Sequence, residues 1–305
     1  MASIRIGISG WRYAPWRGDF YPQGLRQKDE LAFASRALSS IEINGSFYAL
    51  QRPSSYQQWH EQTPDGFEFS VKAPRYITHV RRLRDVEGPL ANFLASGVLG
   101  LGEKLGALLW QFPPSFRFDA ALMEDFLAQL PHDTEQALGI ARQHEERMAG
   151  RTLLEIDRSR KMRHAVEIRH DSFVDGRFVA LLREHDVALV VADTAGKWPY
   201  LEDLSADFLY LRLHGDRQLY TSGYGEAALR HWSQRIRAWT RGEQPRDARL
   251  ASAEPAPTRR SRDLYCYFDN DVKVRAPYDA RRLIDLLGLA DGLSEHPGQR
   301  KEDAA

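Results

Sequence analysis

The chain has 305 residues, of which 43% are hydrophobic and 28% are charged, as is usual for a globular protein. Its 42 Lys and Arg residues balance 42 Asp and Glu residues, so the zero net charge disfavours a protein built only to coat nucleic acid. A single cysteine, Cys266, excludes an internal disulfide or a cysteine-based zinc knuckle, and we expect a reducing compartment.

The N-terminus leads directly into a strand-like pattern and lacks the charged start and apolar stretch of a signal peptide. No apolar run approaches the roughly 20 residues that cross a bilayer. We therefore expect a cytoplasmic protein that does not contact a membrane, and the sequence leaves its oligomeric state open.

Eight short runs rich in β-branched, leucine or aromatic residues alternate with stretches of helical periodicity. The predicted strands are 4–9, 40–47, 67–73, 105–112, 163–170, 187–193, 208–215 and 264–270. The predicted helices are 28–38, 54–62, 89–97, 120–130, 178–185, 227–240 and 279–287, with an extra helix at 134–150. Strand and helix repeated eight times predict an α/β fold, a single TIM-type (β/α)8 barrel, in preference to an open doubly wound sheet.

We assign residues 1–290 to this barrel. Segment 241–262 is rich in Arg, Ala and Pro and has no period, so it is predicted to be a mobile insert before the eighth strand. The tail 291–305 is polar and is predicted to be disordered.

Strand residues alternate between the barrel interior and the helix layer, which locates the polar side chains. In the second strand, Ile41 and Ile43 face the helices, so Glu42 and Asn44 face inward. The same alternation turns inward Ser70, Lys72, Glu167, Arg169, Tyr210, Arg212 and His214, with Gln111 and Asp193 at the ends of the fourth and sixth strands. The first strand contributes Gly7 and Ser9, whereas the parity of the eighth strand, which ends at Asp269 and Asn270, is ambiguous.

Three cations and three acids thus converge on the C-terminal mouth of the barrel, although buried charges without partners are rare. Polar residues clustered at the C-terminal ends of barrel strands are typical of a ligand site. The alternative is a structural ion network in which Glu42 pairs with Arg169, or Glu167 with Arg212.

We expect Lys72, Arg169 and Arg212 to hold an anionic group. The predicted catalytic residues are Glu42 or Glu167 as general acid or base, with His214 as proton partner. The other predicted substrate-binding residues are Trp11, Tyr13, Asn44, Gln111, Asp193, Tyr224 and Asn270.

The sequence contains neither a P-loop nor a dinucleotide-binding fingerprint. Glu42, Glu167, Asp193 and His214 form an alternative metal-ligand set, but three cations share the mouth, so no metal and no cofactor are predicted. The aromatic residues of the first two loops favour a packed rim over a platform for stacking a sugar or base.

Several motifs carry a family resemblance. They are residues 7–13, 16–22, 42–48, 69–72, 77–79, 109–114, 167–170, 210–215 and 267–270. Together they resemble the YecE-like family, domain of unknown function 72, over nearly the whole chain. The resemblance implies a TIM-type barrel but no particular reaction. The chain departs from it at Ser46, where Thr is usual, at Phe173, where Trp is usual, and at Asp269, where Asn is common.

Two functions remain open. The favoured one is a hydrolase-like enzyme acting on a polar or anionic ligand, such as a phosphorylated sugar, nucleotide or nucleic-acid end. The alternative is a non-catalytic adaptor for nucleic acid or protein, with the basic runs 81–84 and 259–262 as contact surfaces.

Overall fold

The structure, a computed structural model, describes residues 2–271 and 273–297. Eight parallel strands pair in chain order, and the last pairs with the first, so the sheet closes into a barrel. The strands are β1 (Ile4–Ser9), β2 (Ser40–Ile43), β3 (Glu68–Lys72), β4 (Leu105–Gln111), β5 (Arg163–Glu167), β6 (Ala188–Asp193), β7 (Phe208–Leu213) and β8 (Asp263–Phe268). The predicted TIM-type barrel is confirmed.

The α-helices of the described residues are α1 (Glu30–Ala37), α2 (Gly45–Tyr48), α3 (Pro53–Gln62), α4 (Glu87–Ala95), α5 (Ala120–Leu127), α6 (Thr134–Ala141), α7 (Gly176–Glu184), α8 (Glu226–Thr240) and α9 (Ala276–Leu287). Local chemistry explains where several of them begin. The carboxylates of Asp119, Asp133 and Asp175 accept backbone N–H bonds at the starts of α5, α6 and α7. Proline occupies the first turn of α3 and α9, where its missing N–H leaves no bond unmade.

The alternation of strand and helix is interrupted at one connection, to which the sequence analysis assigned no helix range either. Residues 194–207, between β6 and β7, contain no helix. Leu201 and Leu204 bury their side chains from an irregular backbone, and Ser205 Oγ accepts the N–H of Leu189 at 2.8 Å. This segment therefore packs by side-chain burial and strand-end hydrogen bonds, without a helical apolar period.

Segment 241–262 lies against this helix-free connection. The carboxylate of Asp203 accepts the N–H groups of Ala251 and Ser252 at 2.8 and 3.0 Å. Arg262 is buried and donates to the carbonyls of Ala206 and Gly242. The segment forms no helix or strand, and its mobility stays a prediction.

Two apolar layers follow from the alternation of strand residues. One lies between the strands and the helices, and includes Ile41, Ile43, Phe69 and Val71. The other fills the barrel interior with Ala107, Leu109, Ala165, Ala188, Val190, Ala192, Ala206, Phe208, Tyr210, Tyr265 and Tyr267. Because Tyr265 and Tyr267 of β8 face the barrel interior, Asp269, two residues further on, is placed on the same side.

Gly7 permits the close approach of β1 to β2. A Cβ added to it would lie 1.8 Å from the carbonyl oxygen of Ser40, which is backbone and cannot turn away. The barrel therefore requires glycine at this position.

Several strands end two to four residues earlier than predicted, because the polar residues at the mouth leave the sheet. β2 stops at Ile43, and Asn44 starts the short helix α2. No helix within residues 2–271 and 273–297 is long and apolar enough to cross a membrane. The tail prediction falls partly on residues 298–305, which lie outside the described residues.

Candidate functional site at the barrel mouth

Arg212, in β7, is the centre of the charged cluster at the C-terminal mouth. Its guanidinium is 1% exposed and contacts three carboxylates. Nη2 lies 2.9 Å from both Glu42 Oε1 and Asp269 Oδ2, and Nη1 lies 2.7 Å from Glu167 Oε2. Nε donates to Glu42 Oε2 at 3.1 Å, and Nη2 also to Ser9 Oγ. The donors of Arg212 are thus engaged within the protein.

Glu42, in β2, is equally saturated. Ser9 Oγ donates to its Oε1 at 2.5 Å and the Tyr210 hydroxyl donates to its Oε2 at 2.6 Å, in addition to the Arg212 bonds. Burial, followed by the charge of Glu42, raises the pKa of Tyr210 well above its ordinary value. Tyr210 therefore stays a hydroxyl donor, and Glu42 holds Arg212 in place.

Glu167, at the end of β5, is fully buried and accepts from three side chains. Gln111 Nε2 donates to Oε2 at 2.9 Å, beside Arg212, and Arg169 Nε donates to Oε1 at 2.9 Å. Burial alone would raise the pKa of Glu167, but the charges of Arg212 and Arg169 outweigh it and hold the pKa well below the usual range. Glu167 is therefore a carboxylate at neutral pH.

His214 follows β7 and lies between two acids. Its Nδ1 is 3.0 Å from Asp269 Oδ2, and its Nε2 is 3.9 Å from Glu167 Oε1. Burial opposes the charge of Asp269, but Arg212 and His214 lower its pKa to about 2. The ring of Tyr220 packs against His214 edge-on, with 5.4 Å between the ring centroids.

Lys72 and Arg169 are 9% and 12% exposed, whereas Glu42 and Glu167 are fully buried. Within the described residues, Lys72 Nζ has no hydrogen bond or ion pair, and it lies 4.2 Å from the centre of the Phe47 ring. Arg169 stacks on the indole of Trp198, with Cζ 3.8 Å from the ring centroid. Its Nε binds Glu167, and no hydrogen bond to a described residue uses its terminal nitrogens.

The mouth therefore has two levels. The lower level is the ion network around Arg212, with Glu42 paired to Arg212 and not to Arg169 as the sequence allowed. The upper level presents Lys72, Arg169 and the partly exposed Asp269. Of the expected anion-holding cations, Arg212 has its donors already engaged, whereas Lys72 and Arg169 have donors left over.

Trp11, Tyr13 and Asn44 lie at the rim, beside β1 and β2. They line a cavity of about 280 Å³ together with Trp59 of α3. Trp11 Nε1 and Asn44 Oδ1 are both buried and have no hydrogen-bond partner among the described residues. Tyr13 donates its hydroxyl to the carbonyl of Ser9 at 2.5 Å, which ties the first loop to the strand beneath it.

Asp193, Tyr224 and Asn270 are not brought into the Arg212 network. In β6 the small residues Val190 and Ala192 belong to the interior layer, so alternation places Asp193 on the outer side. Its carboxylate accepts the Tyr224 hydroxyl at 3.0 Å. The inward placement of Asp193 was wrong. The residues of β6 before Asp193 are all apolar, so the sequence does not show which of them face the interior and which face the helices.

Asn270 also acts outside the network. Its Nδ2 donates to the carbonyl of Ser222 at 3.0 Å and to Asp279 Oδ2 at 2.9 Å. The side chain thus ties the loop after β7 to α9.

The aromatic residues of the first loop are mostly packing. Trp16, Phe20 and Tyr21 are buried and contact one another through their rings. Trp198, in the helix-free connection after β6, is an aromatic side chain that does face the charged centre, where it stacks with Arg169. No sequence signal had marked Trp198.

The alternative metal-ligand set is not assembled, because Asp193 bonds elsewhere and the carboxylates of Glu42 and Glu167 are held by Arg212. Within residues 2–271 and 273–297, no group of three or more His, Cys, Asp or Glu is placed to hold a metal ion.

The two basic runs are only partly exposed, with Arg84, Arg259 and Arg260 at the surface. In run 81–84, Arg81 pairs with Asp85, and Leu83 is buried. In run 259–262, Arg262 is 1% exposed and its donors are used by backbone carbonyls. The adaptor alternative therefore keeps only the exposed arginines of each run as contact residues.

Three further side chains belong to the mouth. Ser9 and Tyr210 were placed inward by parity but had no assigned role, and both bind Glu42. His79 packs against Phe47, with 5.0 Å between the ring centroids. Burial and the charges of Lys72 and Arg169 lower the pKa of His79 to about 4.

Comparison with known proteins gives a family and a fold. The family model described as "Protein of unknown function DUF72" matches residues 5–302. The UPF0759 protein YecE of Escherichia coli K12 is 31% identical over 113 residues, which are 37% of this chain and 39% of that protein. The UPF0759 protein YunF of Bacillus subtilis is 32% identical over 121 residues, which are 37% of this chain and 41% of that protein. The matched region spans about two fifths of these curated relatives.

Solved structures extend the likeness over the whole chain. A DUF72 family protein of Thermotoga maritima has a TM-score of 0.69 at 23% identity, covering 94% of this chain and 99% of that one. A DUF72 family protein of Enterococcus faecalis has a TM-score of 0.66 at 15% identity, covering 97% and 99%. At these identities the two structures support the fold alone.

Proposed function

Because the chain belongs to the DUF72 family, a family of unknown function, we propose its activity from the geometry of the barrel mouth: an enzyme that acts on a polar or anionic ligand bound above the Arg212 network. One observation carries this proposal. Lys72 and Arg169 have unused donors at the upper level, while Glu42, Glu167 and Asp269 are all engaged by Arg212. The mouth thus offers unused cationic donors to a ligand, while its three carboxylates are already engaged by Arg212.

Arg169 is the residue best placed to bind the anionic group. Its guanidinium stacks on the ring of Trp198, and its Nε donates to Glu167. These two contacts fix its orientation, so its terminal nitrogens are positioned to bind a carboxylate or phosphate. Phosphorylated sugars, nucleotides and nucleic-acid ends all carry such a group.

We assign proton transfer to His214 and not to Glu42. The oxygens of Glu42 accept bonds from Ser9, Tyr210 and Arg212, and adding a proton to either oxygen would break that network. His214 has Asp269 at Nδ1, an arrangement that orients an imidazole for acid–base work. Hydrolysis, favoured by analogy with other barrels, stays a prediction.

Binding of inorganic phosphate, followed by isothermal titration calorimetry, tests the anion site. Arg169→Gln should weaken phosphate binding about tenfold or more, because a charge-assisted hydrogen bond contributes about 1.5–3 kcal/mol. Arg246→Gln, at an exposed position in segment 241–262, is the matched control and should bind as the unmodified chain does. Equal affinity in both variants would overturn the assignment.

A panel of glucose 6-phosphate, a nucleoside monophosphate and a 5′-phosphorylated oligonucleotide then tests turnover. Product formation that disappears in His214→Asn, with phosphate affinity kept, supports the enzyme. Phosphate-sensitive binding of oligonucleotide without any product would instead favour the adaptor.

A further inference from the structure

Lys72 is a buried lysine whose charge the fold does not neutralise by contact. It is 9% exposed at the end of β3, and its ammonium meets the face of Phe47. The three carboxylates of the mouth are held by Arg212 instead. A buried charge without a paired partner costs several kcal/mol, so a lysine that served only packing would be better replaced by an apolar side chain.

The groups around Lys72 make its amine easier to deprotonate. Burial and then the charge of Arg212 lower its pKa to about 8, and the charges of Glu42, Glu167 and Asp269 act in the opposite direction. His79, on the same Phe47 ring, is neutral at pH 7. At a pKa near 8, roughly a tenth of the molecules carry a neutral amine at pH 7.

We propose that Lys72 is a nucleophile that forms an imine with a carbonyl compound, and that the same compound carries an anionic group bound by Arg169. The substrate class is then a phosphorylated sugar in its open-chain form, or a 2-oxo acid. This inference rests on the proposed ligand site but does not require hydrolysis as the reaction.

The chemistry balances without any further reactant. The neutral Nζ attacks the carbonyl carbon, a C–N bond forms, and the carbonyl π electrons move to oxygen, which gains a proton. The nitrogen then loses one proton, the hydroxyl oxygen gains a second proton and leaves as water, and the nitrogen lone pair forms the C=N bond of the protonated imine. Protons pass through water or through the His214 and Asp269 pair.

The position suits the product as well as the nucleophile. The protonated imine carries one positive charge, as the ammonium did. It would therefore keep the contact with the face of Phe47 and the attraction of the negative charges of Glu42, Glu167 and Asp269. Catalytic groups of TIM-type barrels lie at this end of the strands. Burial that disfavours the ammonium form increases the fraction of neutral amine, which is the form that acts as a nucleophile.

Borohydride trapping tests the inference on the full chain. The protein is incubated separately with dihydroxyacetone phosphate and with pyruvate, then reduced, and the mass is measured on the intact chain and on its peptides. Reduction fixes the imine as a secondary amine, so the peptide carrying Lys72 should gain the ligand mass less one oxygen atom. Adduct on Lys72 with either probe supports the proposal.

One variant and one exposed lysine serve as controls. Lys72→Arg keeps the positive charge but has no primary amine, and it should lose the adduct. Lys28 is exposed, and its peptide in the unmodified chain reports non-specific labelling. The peptide map needs no variant, so a Lys72→Arg chain that failed to fold would leave the test intact. No adduct on Lys72 with either probe, or labelling no greater than at Lys28, would overturn the proposal.

The pH dependence of trapping gives an independent reading. Adduct formation should rise with pH and level off above about 8, because the neutral amine is the reactive form. A midpoint near 10, the ordinary value for lysine, would contradict an activated amine.

The two proposals fail separately. If Arg169→Gln weakens phosphate binding and no adduct forms, the anion site stands and the nucleophile does not. If the adduct forms and Arg169→Gln binds phosphate as tightly as the unmodified chain does, Lys72 is supported as the nucleophile and Arg169 is not the anion-binding residue.

Discussion

Replacing Arg212 by Met should be among the most destabilising substitutions in this chain. The change removes the one cation that contacts Glu42, Glu167 and Asp269 together, at distances of 2.7–2.9 Å. Glu42 and Glu167 are 0% exposed, so neither recovers hydration when its partner is lost. Removing one side of a buried ion pair costs about 3–5 kcal/mol, and we expect a loss in this range at pH 7.

The sign of the pH dependence follows from the carboxylates. Arg212 lowers the pKa of Glu167 and of Asp269 in the folded chain below their unfolded values. Such groups contribute stability above their unfolded pKa, near 4, and that stability is lost as the pH falls through their folded pKa. In Arg212→Met the pKa depression becomes smaller, because only the neighbouring cations remain, so the difference from the unmodified chain should be largest at pH 7 and should narrow towards pH 4.

Urea unfolding followed by circular dichroism, at several pH values between 4 and 8, measures this difference. Arg246→Met removes an exposed arginine of the same size and should change the free energy of unfolding by less than about 0.5 kcal/mol. A loss below about 1 kcal/mol in Arg212→Met, or a loss that does not vary with pH, would refute the idea that the lower level is held together by this cation.

Three further outcomes follow from individual contacts. Gly7→Ala should destabilise the barrel by about 3 kcal/mol or more in urea unfolding, because its Cβ would meet the backbone of β2, whereas Gly139→Ala in α6 meets nothing within 4 Å and should be neutral or stabilising. Tyr224→Phe should cost about 1–3 kcal/mol of stability by removing the bonds to Asp193 and the Gly215 N–H, yet leave phosphate affinity unchanged; a weakened affinity would place Tyr224 in the site after all. Asp269→Asn removes a negative charge that raises the pKa of Lys72, so the midpoint of borohydride trapping should move to lower pH, and an unmoved or higher midpoint would show that this charge does not act on the amine.

The alternation of apolar and polar residues was enough to predict the barrel and much of its mouth. Glu42, Lys72, Glu167 and Arg212 face inward because their neighbours along each strand are apolar and pack beneath the helices. The inward or outward direction of these side chains can be predicted from the sequence of one strand alone. In β6 every residue before Asp193 is apolar, so the sequence did not show which of them face the interior, and Asp193 was assigned to the wrong side. The small residues Ala188, Val190 and Ala192 fill the interior.

Only the closed barrel decides which charges meet. Glu42, Glu167 and Asp269 lie on β2, on β5 and just after β8, and their common partner on β7 is set by the curvature and register of the sheet. The same closure engages the donors of Arg212 and leaves Lys72 with no carboxylate in direct contact among the described residues. Two inward-facing cations that look alike in the sequence therefore differ in chemistry. The sequence by itself thus determined the architecture and the inward set of polar side chains. The pairing of those side chains, and therefore which of them remain available to a ligand, is a property of the tertiary structure, because ion pairs form across strands distant in sequence.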